Sequence, residues 1–257
     1  MKYSFSLLLF LSLCAFVPES ETLTDGIELY DNRAEGAVGL KANPENLFKA
    51  LTIFQNAFNR KEDLEISGLY LMRTQEYIAR FIETETEKKK QRFEAERKIG
   101  EQLVKLYPNS APVRFAYISA IGLWAEQVGA MKSAKDGVLG KMKEQVEALI
   151  KIDSMYNNAA GYKVMGLMNL KTPYIPFFLT WPSDKEGKRL VEKALKYFPK
   201  DHGNNYYYAE VLEKFGLKDR AKLYVNVVLA LPCRKELLLE DRKFQEDAKQ
   251  LLAAINK

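Results

Sequence analysis

The chain has 257 residues, of which 47% are hydrophobic and 28% charged, so it is not disordered by composition and is long enough to bury a substantial core. Thirty-nine basic and 34 acidic side chains leave a formal charge of +5, with no basic block beyond Lys88-Lys89-Lys90, and a nucleic-acid patch needs clustering that this sequence lacks. A single histidine, His202, excludes the common histidine-based triads and most zinc sites, and no glycine-rich phosphate loop follows a strand. No catalytic residue, metal ligand or cofactor is expected, and the chain reads as a non-enzyme.

Residues 1–17 read as a leader. Met1-Lys2-Tyr3 gives a weakly positive start, and the apolar stretch from Phe5 to Val17 has the length of a signal-peptide core, too short for a comfortable membrane span. Export is expected, with a periplasm-facing place in the cell envelope. Leu11-Ser12-Leu13-Cys14 resembles a bacterial lipobox, which would make Cys14 the lipidated N-terminus, although Leu13 stands where a small residue is usual. An ordinary signal peptide or an uncleaved anchor is the alternative. Residues 18–26 then serve as a tether, and 27–257 as one helical domain. Its single thiol, Cys233, adjoins Arg234 and Lys235 and is expected to be inert.

From Ile27 the pattern is helix after helix. Ile27, Leu29, Tyr30, Ala34, Ala37 and Val38 make a first apolar stripe, loosened by Gly36 and Gly39. Asn43-Pro44 predicts a helix start, cap then first-turn proline. That helix carries Ala50, Phe54 and Ala57, the spacing of a tetratricopeptide second helix, in which small residues let two helices approach closely. A helix is predicted from Leu64 to Ile82, and a long charged one up to Leu106, closed by Tyr107-Pro108. Ser110-Ala111-Pro112 opens the next, apolar on most sides through Trp124, which is expected in the core. After a looser stretch from Gly129 to Gly140 come helices over Val138–Ile152 and Asn158–Leu170.

The last third repeats one unit. Gly187, Val191, Ala194 and Leu195 close with Phe198-Pro199; Ala221, Val225, Val228 and Leu229 close with Leu231-Pro232. Gly187 and Ala221, like Ala194 and Val228, stand 34 residues apart, the period of a tetratricopeptide helix pair. Between the copies a helix from Asn204 to Phe215 ends at Gly216, where a left-handed cap favours glycine. Leu237 to Ile255 predicts a final amphipathic helix of the kind that covers the end of a repeat array. The expected fold is all-α: an α-solenoid of four to five degenerate tetratricopeptide-like helix pairs with a C-terminal capping helix.

One stretch breaks the pattern. Thr172 to Pro182 holds three prolines and six large apolar side chains, so it can neither continue a helix nor rest cheaply in water. Ser183-Asp184-Lys185-Glu186 then restarts the helix as a capping box. The insert 173–182 supplies candidate contact residues, Tyr174, Phe177, Phe178 and Trp181, with a loop folded over the stack as the alternative. Tyr206, Tyr207 and Tyr208 are consecutive on a helix at steps of about 100°, so all three cannot face one core. Tyr207 is therefore a candidate groove contact, as is Asn205 at the start of the same helix; capping and packing are the plainer readings.

The order Ile118 to Trp124, Lys151-Ile152-Asp153, Gly161-Tyr162 with Gly166, and Pro176-Phe177 to Trp181-Pro182 has a known layout. With Ala194-Leu195, Asn205 beside Ala209-Glu210, and Glu240-Asp241 ahead of Phe244 to Ala248, it resembles the T-component proteins of TRAP (tripartite ATP-independent periplasmic) transporters. The resemblance covers most of the chain after residue 27; regulators of microtubule dynamics share the same C-terminal layout. It implies an exported, lipid-anchored helical scaffold for protein–protein interaction, able to form a homo-oligomer and to dock a solute-binding protein. A carrier of a small apolar ligand, held in a pocket lined by the insert, is the alternative.

Overall fold

The computed structural model describes residues 21–129, 132–133, 136–174 and 180–257. Among these, eleven α-helices follow one another: α1 (Leu23–Asp31), α2 (Pro44–Asn59), α3 (Leu64–Phe81), α4 (Thr86–Leu106), α5 (Ala111–Val128), α6 (Val138–Ile152), α7 (Tyr156–Lys171), α8 (Asp184–Tyr197), α9 (His202–Lys214), α10 (Lys218–Ala230) and α11 (Leu238–Ile255).

Local chemistry sets most of the boundaries. The Asn43 side chain accepts from the Glu45 N–H with Pro44 in the first turn, and the Ser110 hydroxyl accepts from the Val113 N–H. Gly216 follows α9 at φ +73°, as a left-handed cap requires. Two expectations are corrected. The first apolar stripe does not form one helix: α1 stops at Asp31, Gly36 and Gly39 take positive φ, and Val38 is 81% exposed. Ser183 accepts from the Glu186 N–H but the box stays half-made, because both Glu186 oxygens accept from Arg189 instead.

Sequential helices pack as neighbours, and each odd-numbered helix also touches the next odd one, from α1·α3 through to α9·α11. The odd helices therefore form an inner row and the even ones an outer row: five helix pairs and the cap α11. Burial is distributed along the array as a series of clusters, as expected where each unit contacts chiefly its neighbours. Trp124 is 7% exposed in the first of them, as the sequence predicts, with the Arg97 guanidinium 4.6 Å above its ring.

The array also curls until its ends meet. Leu239 of α11 is fully buried in the same cluster as Ala42, Leu47, Tyr77 and Phe81 near the N-terminal end. Arg33, just after α1, donates from Nη2 to the Glu236 carbonyl and to Glu240 Oε1, the latter at 3.3 Å. Arg242 donates to the Gly39 carbonyl at 3.3 Å. The inner row thus curves around a hollow that the contact between the two ends narrows and that stays partly open to solvent.

Candidate functional site

That hollow is a cavity of about 560 Å³, with walls from α1, α3, α5, α7, α9 and α11. Its position follows from helix periodicity: Tyr70, Arg73 and Tyr77 sit three and four residues apart, on one face of α3. Aromatic side chains form much of the wall. Tyr30 meets Tyr70 edge to face at 5.5 Å between ring centroids and Tyr77 at 6.4 Å, while Phe115 lies 5.8 Å from Tyr156. The Arg33 guanidinium stacks over Tyr30 at 4.7 Å and over Tyr77 at 5.2 Å.

The polar side chains fall into two groups. The first is a buried network. Asp241 is fully buried and accepts twice from the Arg234 guanidinium, at 2.6 and 2.9 Å, and once from the Arg234 N–H at 2.9 Å. Arg234 also donates to Asp201 at 3.1 Å, and Asp201 further accepts from Asn158 at 2.9 Å, the Asn204 N–H at 2.9 Å and Lys163 at 3.4 Å. Burial opposes ionisation of Asp201, but Lys163, the Asn204 N–H and Arg234 outweigh it and hold the carboxyl below its usual range. Burial pushes the Lys163 ammonium down against the pull of Asp201. A backbone irregularity carries part of this network: Asn157, Asn158 and Ala159 take left-handed φ of +47°, +59° and +59° before α7 continues normally.

The second group has idle bonding capacity. Tyr77 is 3% exposed, and its hydroxyl has no hydrogen-bond partner among the described residues; nor do Arg33 Nε and Glu240 Oε2. Arg73 donates to the Tyr156 hydroxyl at 3.4 Å and lies 5.4 Å from the Tyr70 ring centroid, yet makes no ion pair among the described residues. The other lining cations, Arg33, Arg80, Lys163 and Arg234, each hold a carboxylate. Desolvation raises the Tyr30 and Tyr77 phenols well above their ordinary value, so both stay neutral donors.

A second, shallower hollow of about 710 Å³ runs along α4 beside Trp124. Glu87, Lys90, Glu94 and Lys98 line it, all on the charged outer face of α4, and no buried unpartnered polar atom faces it among the described residues.

The residues picked out from sequence separate. Tyr207 lines the cavity, and burial, with Glu210 adding, pushes its phenol up to about 12. Tyr208 turns the other way into the core, 1% exposed, against Tyr224; this divergence is what three successive helical tyrosines require. Asn205 is 2% exposed and caps locally, donating to the Pro199 and Asp201 carbonyls at 2.8 and 2.9 Å. Tyr174 is 62% exposed, away from the cavity. Trp181 packs on the cluster of Val146, Leu149, Met165 and Leu190. Cys14, Phe177 and Phe178 lie outside the described residues. Cys233 is half-buried; burial and Asp241 raise its thiol, which keeps it protonated.

Arg33, Arg73, Lys163 and Arg234 were not marked by the sequence, where they resemble solvated surface charges, and Tyr77 reads there as part of an apolar helix face. One signal was available: Tyr70, Arg73 and Tyr77 put charge and aromatics on one helix face.

No family model matches the chain, and no curated protein does. Among solved structures the chain is similar to a thermophilic TPR (tetratricopeptide-repeat) protein of Thermus thermophilus, at 15% identity over 91% of this chain and 96% of that one, with a TM-score of 0.59. With five helix pairs and a capping helix, the chain is an all-α solenoid of tetratricopeptide-like fold.

Proposed function

We propose that this protein is a non-enzymatic binding protein that holds a small ligand in the hollow of its curled repeat array. One observation carries the reading: contact between α11 and the N-terminal end turns the concave face into a walled cavity of about 560 Å³, within the range of about 300–1,000 Å³ usual for small-molecule sites. We place the ligand site on the inner row, where Tyr207 is the sequence candidate that lines the cavity; Phe177 and Phe178 of the insert 173–182 lie outside the described residues. Native mass spectrometry of full-length protein, followed by denaturation and analysis of the released fraction, tests it. A stoichiometric small molecule is expected; a ligand-free protein that binds no small molecule in titrations would overturn it.

A second reading, docking of a protein partner, is favoured by the tetratricopeptide-like fold, whose paired helices leave a continuous outer face. In this reading the resemblance to TRAP transporter T-components supplies the setting: export, a lipid anchor at Cys14, and a solute-binding protein as the partner. Crosslinking in intact cells and the mass of the mature N-terminus test this. Recovery of a solute-binding protein together with a diacylglyceryl mass on Cys14 supports it; a mature chain beginning beyond Cys14, without such a partner, rejects it.

A further inference from the structure

Resting on the cavity reading above, we propose that the cavity takes a monocarboxylate with an aromatic or aliphatic body, its carboxylate seated on Arg73. The charge pattern names the anchor. Of the lining cations, Arg73 is the one that makes no ion pair among the described residues. Its guanidinium has donors beyond the single bond to the Tyr156 hydroxyl, and its fork geometry suits the two oxygens of a carboxylate.

The idle donors name the same chemistry. Tyr77 follows Arg73 by one helical turn and lines the cavity, with a buried hydroxyl that has no partner among the described residues; Arg33, stacked over the Tyr77 ring and paired with Glu240, leaves an idle donor at Nε, as Glu240 leaves an idle acceptor at Oε2. Each buried polar group left without a partner keeps an uncompensated desolvation cost that a ligand's hydrogen bond would relieve. A carboxylate, with about four lone-pair sites and no donor, offers acceptors to such groups at one end.

A single negative charge fits better than several. Every other lining cation is already matched to a carboxylate, and Asp31 and Glu236 add exposed negative charge at the wall, so a phosphate-like polyanion would meet repulsion without compensation. The body of the ligand follows from the rings: Tyr30 and Tyr70 present an apolar surface next to Arg73, and the volume far exceeds a carboxylate alone.

Two sources carry this chemistry, a free organic acid and the C-terminus of a peptide. Calorimetric titration of the full chain with 3-phenylpropionate, octanoate and Ala-Ala-Phe, each against its neutral amide, distinguishes them. At least one acid is expected to bind about tenfold or more tightly than its amide, and Arg73→Met to remove that difference. Tyr77→Phe, which deletes only the idle hydroxyl, is expected to weaken acid binding without lowering the melting temperature, and stands in should Arg73→Met fail to fold. Tighter binding of the small acids identifies a metabolite-like ligand, and tighter binding of the peptide a protein C-terminus. Equal binding of acids and amides overturns the carboxylate assignment while the cavity reading survives. Binding of no probe overturns the carboxylate assignment, and the cavity reading falls with it only if native mass spectrometry also finds the protein free of any small molecule.

Discussion

Gly166 on α7 and Gly187 on α8 lie so close that a Cβ on either would come within 2.9 Å of the other's carbonyl oxygen. Here the 34-residue pattern meets its physical cause: the small position of the repeat exists because two backbones touch. Gly166→Ala or Gly187→Ala must push main chain against main chain, and neither helix can yield without moving its cluster. A loss of about 1–3 kcal/mol is expected for each, read from urea melts followed by circular dichroism. A change under about 0.5 kcal/mol would show that the crossing is looser than described.

Ala159 predicts the opposite sign. At φ +59° it holds a left-handed conformation that costs an L-residue roughly 1–2 kcal/mol, whereas glycine adopts it freely. Ala159→Gly is expected to raise stability by about 1 kcal/mol, although glycine elsewhere in a helix lowers it by a similar amount. Matched melts of Ala159→Gly and of a control such as Ala125→Gly, in the regular part of α5, give the comparison; destabilisation by both would remove the left-handed turn.

Glu96 sets a pH dependence. Its side chain is fully buried on α4, and neither oxygen has a partner among the described residues. Desolvation, with Glu76 adding, raises its carboxyl well above the usual range. Folding therefore favours the protonated acid. The stability it gives is fully present below the unfolded value and is lost as pH rises through the folded one. Glu96→Gln cannot ionise, so its melting temperature is expected to fall less than that of the parent from about pH 5 to about pH 8. Parallel pH profiles would reject this for Glu96.

Asp201 acts in the reverse direction. Lys163, the Asn204 N–H and Arg234 outweigh its burial and hold it ionised, so its contribution is present above the unfolded value and lost as pH falls through the depressed folded one. Arg234→Met removes the shared cation from Asp201 and the fully buried Asp241. A loss of about 3–5 kcal/mol is expected, as for one broken half of a buried pair. Thermal melts at neutral pH check it; a loss under about 1 kcal/mol would mean that Lys163 and solvating water hold the two carboxylates without Arg234.

The elements legible in the sequence are those written in adjacent residues. Asn43-Pro44, Ser110 with its following turn, and Gly216 announce helix ends through bonds spanning a few residues, and the structure keeps them. The small residues at Gly166 and Gly187 likewise reveal a close crossing. The cavity is not written that way. Arg33 and Glu240 meet because small rotations between successive helix pairs add up over the whole array, and no local pattern encodes that sum. Asn205 misled for a related reason: its amide serves its own backbone at Pro199 and Asp201, while Tyr207, two residues on, turns into the hollow. The charged lining residues were overlooked because a cation on a helix looks the same in sequence whether it faces water or a cavity.

The meeting of the two ends changes how such a protein comes apart. An open repeat array frays from its terminal units, each lost at the cost of one interface. Here neither terminal unit is free: α11 is clamped by Arg33 and by the cluster around Leu239, and the first pair is clamped by α11 in turn. Fraying from either end must therefore part this long-range seam as well as the local interface. Contact between the two ends thus couples units that an open array would leave independent. Occupancy of the hollow would strengthen that seam directly, because Arg33, Tyr77 and Glu240 belong to both.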